Sequence, residues 1–348
     1  MKRLLLPLGL LLAFVGVASA TSEESSRGEP FVSQPNEDSM EEFSRRKHYV
    51  SVGPWNVAYV DEGSGPPVFL LHGCPFHSYQ WRDVIPVLSR HYRVIAPDLL
   101  GLGDTQVRLT DDYRLPQDVV MLKGLMDALG IAQADFVGAD HGAATLQLLM
   151  KDSPDRIRRA VLTNAEAYDL WPSKPEVKYL KMVVHPLTSP IFRFLLSHSS
   201  WIRREVFSIA VHREEVFTDE VVLAYTRAHT SSKARWERLR RFFRWQLDPE
   251  HNRVTLDALD GLRRFDRPTL ILWGKVDTNF GPAIAERLAS DIPGVIGVEY
   301  LEHSAHMPFQ EEPEAYNTAL LRFVGASDGE LARRRAAWVV ARSEAAQR

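Results

Sequence analysis

A chain of 348 residues with 45% hydrophobic and 25% charged residues has ordinary globular composition, long enough for one large core or a core with an insertion. The formal net charge of −3 excludes the basic footprint of a nucleic-acid-binding surface. Cys74 is the single cysteine, which excludes an intrachain disulfide and leaves stability to the packed core.

The first predicted element is a targeting segment. Lys2 and Arg3 precede an apolar run from Leu4 to Val17, and Ala18-Ser19-Ala20 offers small residues for cleavage. This predicts a signal peptide over 1–20, cleaved after Ala20, and a secreted or periplasmic product. The run is short for a bilayer span, so no stable membrane insertion is expected after cleavage. Residues 21–46, rich in Ser, Glu, Pro and Arg, read as a disordered leader.

From Tyr49 the pattern changes. "VSVGPWNVAYVDEG" alternates apolar and polar residues around a turn and predicts a hairpin. Short apolar runs follow at 67–73, 92–101, 134–140, 157–165, 268–277 and 297–302. Continuous runs of this length suit strands of a parallel sheet buried on both faces. Amphipathic stretches such as 116–130 separate most of them, and alternating strand and helix predicts an α/β fold. The alternation breaks over 168–262, a helical stretch rich in Arg, Phe and Trp, which reads as an inserted helical cap. It divides a core of 47–167 from its second part, 263–326; residues 327–348 read as a tail, either a surface helix or frayed.

Within the run at 134–140, "FVGADHGAAT" has the layout of a nucleophile elbow, G-x-Nuc-x-G, with Asp140 where serine is usual. Asp277 ends "LILWGKVD" and His306 lies in "HSAHMPFQEEP", so nucleophile, acid and histidine follow in the chain order of α/β-hydrolases. Asn164 and Glu166 compete with Asp277 for the acid position, and His303 competes with His306. The histidines lack metal-ligand spacing and no nucleotide loop occurs, so no metal or cofactor is expected.

"HGCPFHSYQWRDVIPVLSRHYRVIAPDLLGLGDT" (72–105), the aspartate elbow, "LWGKVD" and "AHMPFQEEP" together resemble the α/β-hydrolase superfamily over roughly residues 49–324, and within it the haloalkane dehalogenase branch and its epoxide hydrolase neighbours. The resemblance implies a mostly parallel sheet flanked by helices under a helical cap. It also implies an enzyme that works on a small apolar organic substrate and water. A carboxylate is ordinarily ionised at neutral pH and needs no base to attack an sp3 carbon. The implied mechanism is therefore an alkyl ester on Asp140, cleaved by water that His306 deprotonates while Asp277 orients His306. The backbone N–H groups of Cys74 and His141 are the implied oxyanion donors.

Two departures from the dehalogenase pattern stand out. The position after the nucleophile, commonly a halide-binding Trp, is His141, and the first-loop position is Cys74 rather than Asn. His141 and Trp171 are thus the candidate halide ligands. Tyr179 and Tyr225 are the candidate proton donors if the substrate is an epoxide. Carbon–halogen cleavage is the first reading, epoxide hydrolysis the alternative and a catalytically inactive secreted binding protein the second alternative. The sequence leaves the oligomeric state unassigned.

Overall fold

A computed structural model describes residues 40–346; the expected signal peptide and the leader up to residue 39 lie outside the described residues. The end of the expected disordered leader departs from its reading. Met40–Arg45 is a helix, and its Phe43 is fully buried with its ring 5.2 Å from Tyr79, edge to face. One buried phenylalanine contributes about 1.5–3 kcal/mol towards ordering this stretch.

Eight strands form one sheet: β1 (Lys47–Val52), β2 (Trp55–Glu62), β3 (Pro67–Leu71), β4 (Arg93–Pro97), β5 (Ala134–Ala139), β6 (Ile157–Thr163), β7 (Thr269–Gly274) and β8 (Val295–Leu301). Their spatial order is β1-β2-β4-β3-β5-β6-β7-β8. The hairpin β1–β2 is antiparallel and meets β4 antiparallel; every pairing beyond β4 is parallel. Strand side chains alternate between faces, and both faces are covered. Phe69, Ile95, Phe136 and Ile271 enter one apolar cluster, and Val68, Val94, Val137 and Leu270 enter the other. That double burial is why these strands read as unbroken apolar runs.

Parallel strands bring their carboxyl ends to one edge of the sheet, where ligands bind in open α/β folds. Cys74 follows β3, Asp140 follows β5, Asn164 follows β6, Asp277 follows β7 and His306 follows β8. Between β6 and β7 the chain is helical: Lys174–Val184, Ser189–His198, Ser200–Phe207, Asp219–Thr230, Lys233–Gln246, Pro249–Asp257 and Leu259–Leu262. The last two helices pack against the core helix His141–Asp152, so the insertion rejoins the core before residue 263.

A buried ion cluster ties the insertion to the sheet. Lys47 Nζ donates to Asp98 Oδ2 at 2.7 Å and to Asp104 Oδ2 at 2.9 Å. From helix Lys233–Gln246, Arg235 reaches Asp104 at 2.9 Å and Arg238 donates to the Gly103 carbonyl at 2.7 Å. The C-terminal segment is a helix, Asp328–Ala346, whose Leu331 is buried and whose Arg334 reaches Glu299 at 2.9 Å.

Candidate active site

Asp140 occupies the tight turn between β5 and helix His141–Asp152 with φ 53° and ψ −119°, a positive φ that a non-glycine residue adopts only where its surroundings over-determine it. The flanking glycines supply that constraint. A Cβ on Gly142 would lie 2.2 Å from the Leu71 carbonyl oxygen, and one on Gly138 would lie 2.7 Å from the carbonyl of Gly142. Asp140 Oδ2 accepts the backbone N–H of Cys74 at 2.9 Å. Its Oδ1 is buried and has no hydrogen-bond partner among the described residues. The N–H of His141, first residue of the helix, belongs to the donors that a helix start leaves unpaired.

His306 stands opposite, with Nε2 3.6 Å from Asp140 Oδ2 and Nδ1 3.0 Å from Asp277 Oδ2. The competing positions resolve around it. Asn164, with φ 38°, donates from Nδ2 to Asp277 Oδ2 at 2.7 Å and accepts Gly274 N–H at 2.9 Å. It therefore holds Asp277 rather than replacing it. Asp277 Oδ1 takes the Asn279 N–H at 2.7 Å. His303 is exposed and is not among the residues lining the cavity. Burial disfavours a charged His306, but the adjoining Asp277 and Asp140 carboxylates outweigh it and hold the imidazole well above the ordinary histidine value. The histidine loop is fixed from behind by Glu311. Its carboxylate accepts the backbone N–H of Ala305 at 2.8 Å, and those of His212 and Arg213 in the insertion at 2.7 and 2.9 Å.

The His141 side chain departs from its expected role as a leaving-group donor. Its Nδ1 meets Glu166 Oε2 at 2.8 Å, its Nε2 faces Asp118 Oδ2 at 3.7 Å, and its ring packs edge-on to Phe242. The ring is fully buried and is not among the residues lining the cavity. Burial lowers its proton affinity, but Glu166 and Asp118 more than offset this and raise it to about 10. Glu166, a competitor of Asp277 for the acid position, is the acidic partner of His141 and also meets Gln246.

A largely apolar cavity opens between the site and the insertion. Cys74, Phe76, Glu176, Leu180, Phe207 and His306 are among its lining residues. Trp171 is a second correction. Its indole N–H donates to Thr255 Oγ1 at 2.7 Å, and the residue does not line the cavity. Trp236 is the only tryptophan lining this cavity among the described residues, and its N–H is bound to Ser189 Oγ at 2.9 Å. Tyr225 lines the cavity, but its hydroxyl accepts from Arg82 at 3.0 Å and from Gln310 at 2.6 Å. Tyr179 lines it half-buried. Among the described residues no cluster of His, Cys, Asp and Glu is arranged to hold a metal ion.

Sequence reasoning missed the partners of this site: Asp118, Gln246, Asn279 and Glu176. Ser173 and Glu176 did carry a readable signal, the S-x-x-E capping box with Pro175 between them. That signal announces a helix start and says nothing about a cavity.

Comparison with known proteins follows the same lines. Over 280 residues the chain is 27% identical to haloalkane dehalogenase 2 of Mycobacterium tuberculosis (strain ATCC 25618 / H37Rv), covering 77% of this chain and 91% of that protein. A shorter match, 37% over 114 residues, covers 32% of this chain and 39% of the soluble epoxide hydrolase of Corynebacterium sp. (strain C12). The crystal structure of haloalkane dehalogenase DbeA from Bradyrhizobium elkani USDA94 superposes with a TM-score of 0.67 at 23% identity, over 84% of this chain and 99% of that one, a likeness of fold. The family model for the alpha/beta hydrolase fold matches residues 66–313. With the eight-stranded sheet beneath it, this chain is a hydrolase that belongs to the alpha/beta hydrolase fold family.

Proposed function

We propose that this hydrolase opens small apolar alkyl electrophiles through a covalent ester on Asp140, and that epoxides are its substrate class. The observation that carries the first part is the Asp140–His306–Asp277 alignment on the elbow, with Oδ2 of Asp140 3.6 Å from His306 Nε2 and His306 Nδ1 3.0 Å from Asp277. Asp140 attacks a ring carbon, the carbon–oxygen bond breaks towards oxygen, and an alkyl ester remains. Water then adds to the carboxyl carbon of that ester, His306 takes its proton, and the Cys74 and His141 N–H groups steady the oxyanion. Attack by Asp140 prepares this second step. Esterification removes one of the two carboxylate charges that keep His306 protonated, so the imidazole gives its proton up to solvent and becomes a base.

Oxygen is favoured over halide because a halide leaves by being polarised between fixed N–H donors. Here the His141 ring is bound to Glu166, and the indoles of Trp171 and Trp236 are bound to Thr255 and Ser189. Dehalogenation is the second reading, favoured by the similarity to a haloalkane dehalogenase across 77% of the chain. The full chain supplied separately with a terminal epoxide and a 1-bromoalkane tests the order: diol should form much faster than bromide. Faster bromide release reverses it, and turnover of neither favours the binding-protein reading.

Export belongs to the same proposal, on the strength of Lys2, Arg3, the run Leu4–Val17 and Ala18-Ser19-Ala20. The exported protein should begin at Thr21; a mature protein beginning at Met1 inside the cell contradicts it.

A further inference from the structure

Ring opening leaves an alkoxide unless a proton reaches the oxygen, and the two tyrosines expected to deliver it, Tyr179 and Tyr225, line the cavity. The Tyr225 oxygen accepts from Arg82 and Gln310, and burial holds its hydroxyl above the ordinary tyrosine value, which makes it a weak acid. A different acid lines the cavity. Glu176 lies in the first turn of helix Lys174–Val184, half-buried among the lining residues Pro172, Leu180 and Val183. The helix cap accounts for one oxygen only: Oε2 accepts the Ser173 N–H at 2.6 Å. No hydrogen bond to Oε1 is found among the described residues.

The segment holding Glu176 is fastened to the triad. Ser173 Oγ donates to Asn279 Oδ1 at 3.2 Å, and the Asn279 N–H binds Asp277 at 2.7 Å. Asn279 Nδ2 reaches the Ile209 carbonyl at 2.9 Å, joining two parts of the insertion to the same loop.

We propose that Glu176 is the proton donor of the ring-opening step, delivering its carboxyl proton to the epoxide oxygen as Asp140 attacks the ring carbon. The inference rests on the Asp140-ester reading above. The electron pair of the broken carbon–oxygen bond takes the proton and becomes a hydroxyl, and Glu176 is left as a carboxylate. Hydrolysis of the ester returns Asp140 as a carboxylate; one proton of the consumed water completes the second hydroxyl, the other restores the His306 imidazolium, and the proton that His306 gave up to solvent is replaced on Glu176. The sum is epoxide plus water giving a vicinal diol.

The electrostatics agree. Burial raises the Glu176 carboxyl first, the Asp140 and Glu166 carboxylates raise it further, and His306 and the Ser173 N–H oppose them; the result is about 8, so the acid is protonated at neutral pH. Its other charged neighbours are committed elsewhere or exposed. Lys174, Lys178 and Lys181 on its own helix are exposed. Arg193 on the neighbouring helix binds the Thr230 carbonyl, and Arg240 binds Glu237 and the Val184 carbonyl.

The test measures single-turnover alkylation by rapid-quench intact mass, using full chain carrying His306→Gln, with and without Glu176→Gln. Styrene oxide and 1-bromobutane are the probes, from pH 6 to 9.5. With His306→Gln alone, styrene oxide should alkylate at a rate that falls as pH rises through about 8 or somewhat above, since loss of the imidazolium raises Glu176 further. Adding Glu176→Gln should slow this step by roughly a hundredfold or more and flatten the profile. Any slower alkylation by 1-bromobutane should change less than about threefold, because bromide leaves without a proton. That arm also reports an intact pocket. Equal epoxide rates and profiles with and without Glu176 overturn the inference, and so does equal loss of both probes, which marks Glu176 as structural. Alkylation by 1-bromobutane alone overturns it while keeping the Asp140 nucleophile. Adducts from neither probe remove the Asp140-ester reading and the inference with it.

Discussion

Two histidines flank Asp140, and each is paired with a carboxylate, yet their surroundings differ. His306 pairs with Asp277, lines the cavity and keeps Nε2 turned to Asp140. His141 pairs with Glu166 on one edge and faces Asp118 on the other, under Phe242, with no share of the cavity wall. Residue type alone does not separate them. Access to Asp140 does: His306 turns Nε2 to it, while the His141 ring is turned to Glu166 and Asp118, of which Glu166 alone lines the cavity.

That contrast is open to being broken one pair at a time. The largest expected effect follows Asp277→Asn, which keeps the shape but no longer stabilises the His306 cation. Turnover should fall by about four orders of magnitude in steady-state assays, as in other acid–histidine pairs. Breaking the other pair should invert the result. Glu166→Gln leaves a buried imidazolium short of its partner and should cost about 3–5 kcal/mol of unfolding free energy in denaturant titrations. Its effect on the ester-hydrolysis step should be small by comparison. A collapse of turnover at unchanged stability would show that the two pairs are not divided in this way.

The pH dependence sharpens the same point. His141 is raised to about 10 in the folded chain, above the ordinary value of about 6.5 for an unfolded one. Its stabilising contribution is therefore complete below about pH 6.5 and is lost as pH rises through about 10. Chemical denaturation of the wild type between these limits should show that decline, and Glu166→Gln should show less of it. The smallest effect belongs to Trp171→Phe, which removes one indole N–H from Thr255. It should cost about 1 kcal/mol and leave product formation nearly unchanged. A large loss of turnover would restore Trp171 as a leaving-group ligand.

Much of the sheet was legible because each central strand is buried on two faces and writes itself as a plain apolar run. The elbow was legible because Gly138 and Gly142 have no room for a Cβ, so a backbone constraint leaves a mark in the sequence. Asp277 and His306 were readable by chain order, and the structure brings both to Asp140. The directions of side chains left no such mark. "DH" at 140–141 does not disclose that the imidazole turns away from the cavity towards Glu166, and the Tyr225 hydroxyl is taken by Arg82 and Gln310 from distant parts of the chain. The helix at Met40–Arg45 was hidden for another reason. A composition rule averages over many polar residues, whereas the helix is anchored by Phe43, with Met40 packed against the same cluster.

The central claim is that Asp140 carries the substrate as an ester that His306 is needed only to release. Intact-mass analysis of the His306→Gln chain after mixing with styrene oxide tests it most directly. The account predicts a stable adduct of one full epoxide mass, mapped to the peptide that contains Asp140, and no adduct when Asp140→Asn is added. Diol formation at wild-type rates by the Asp140→Asn chain would contradict it.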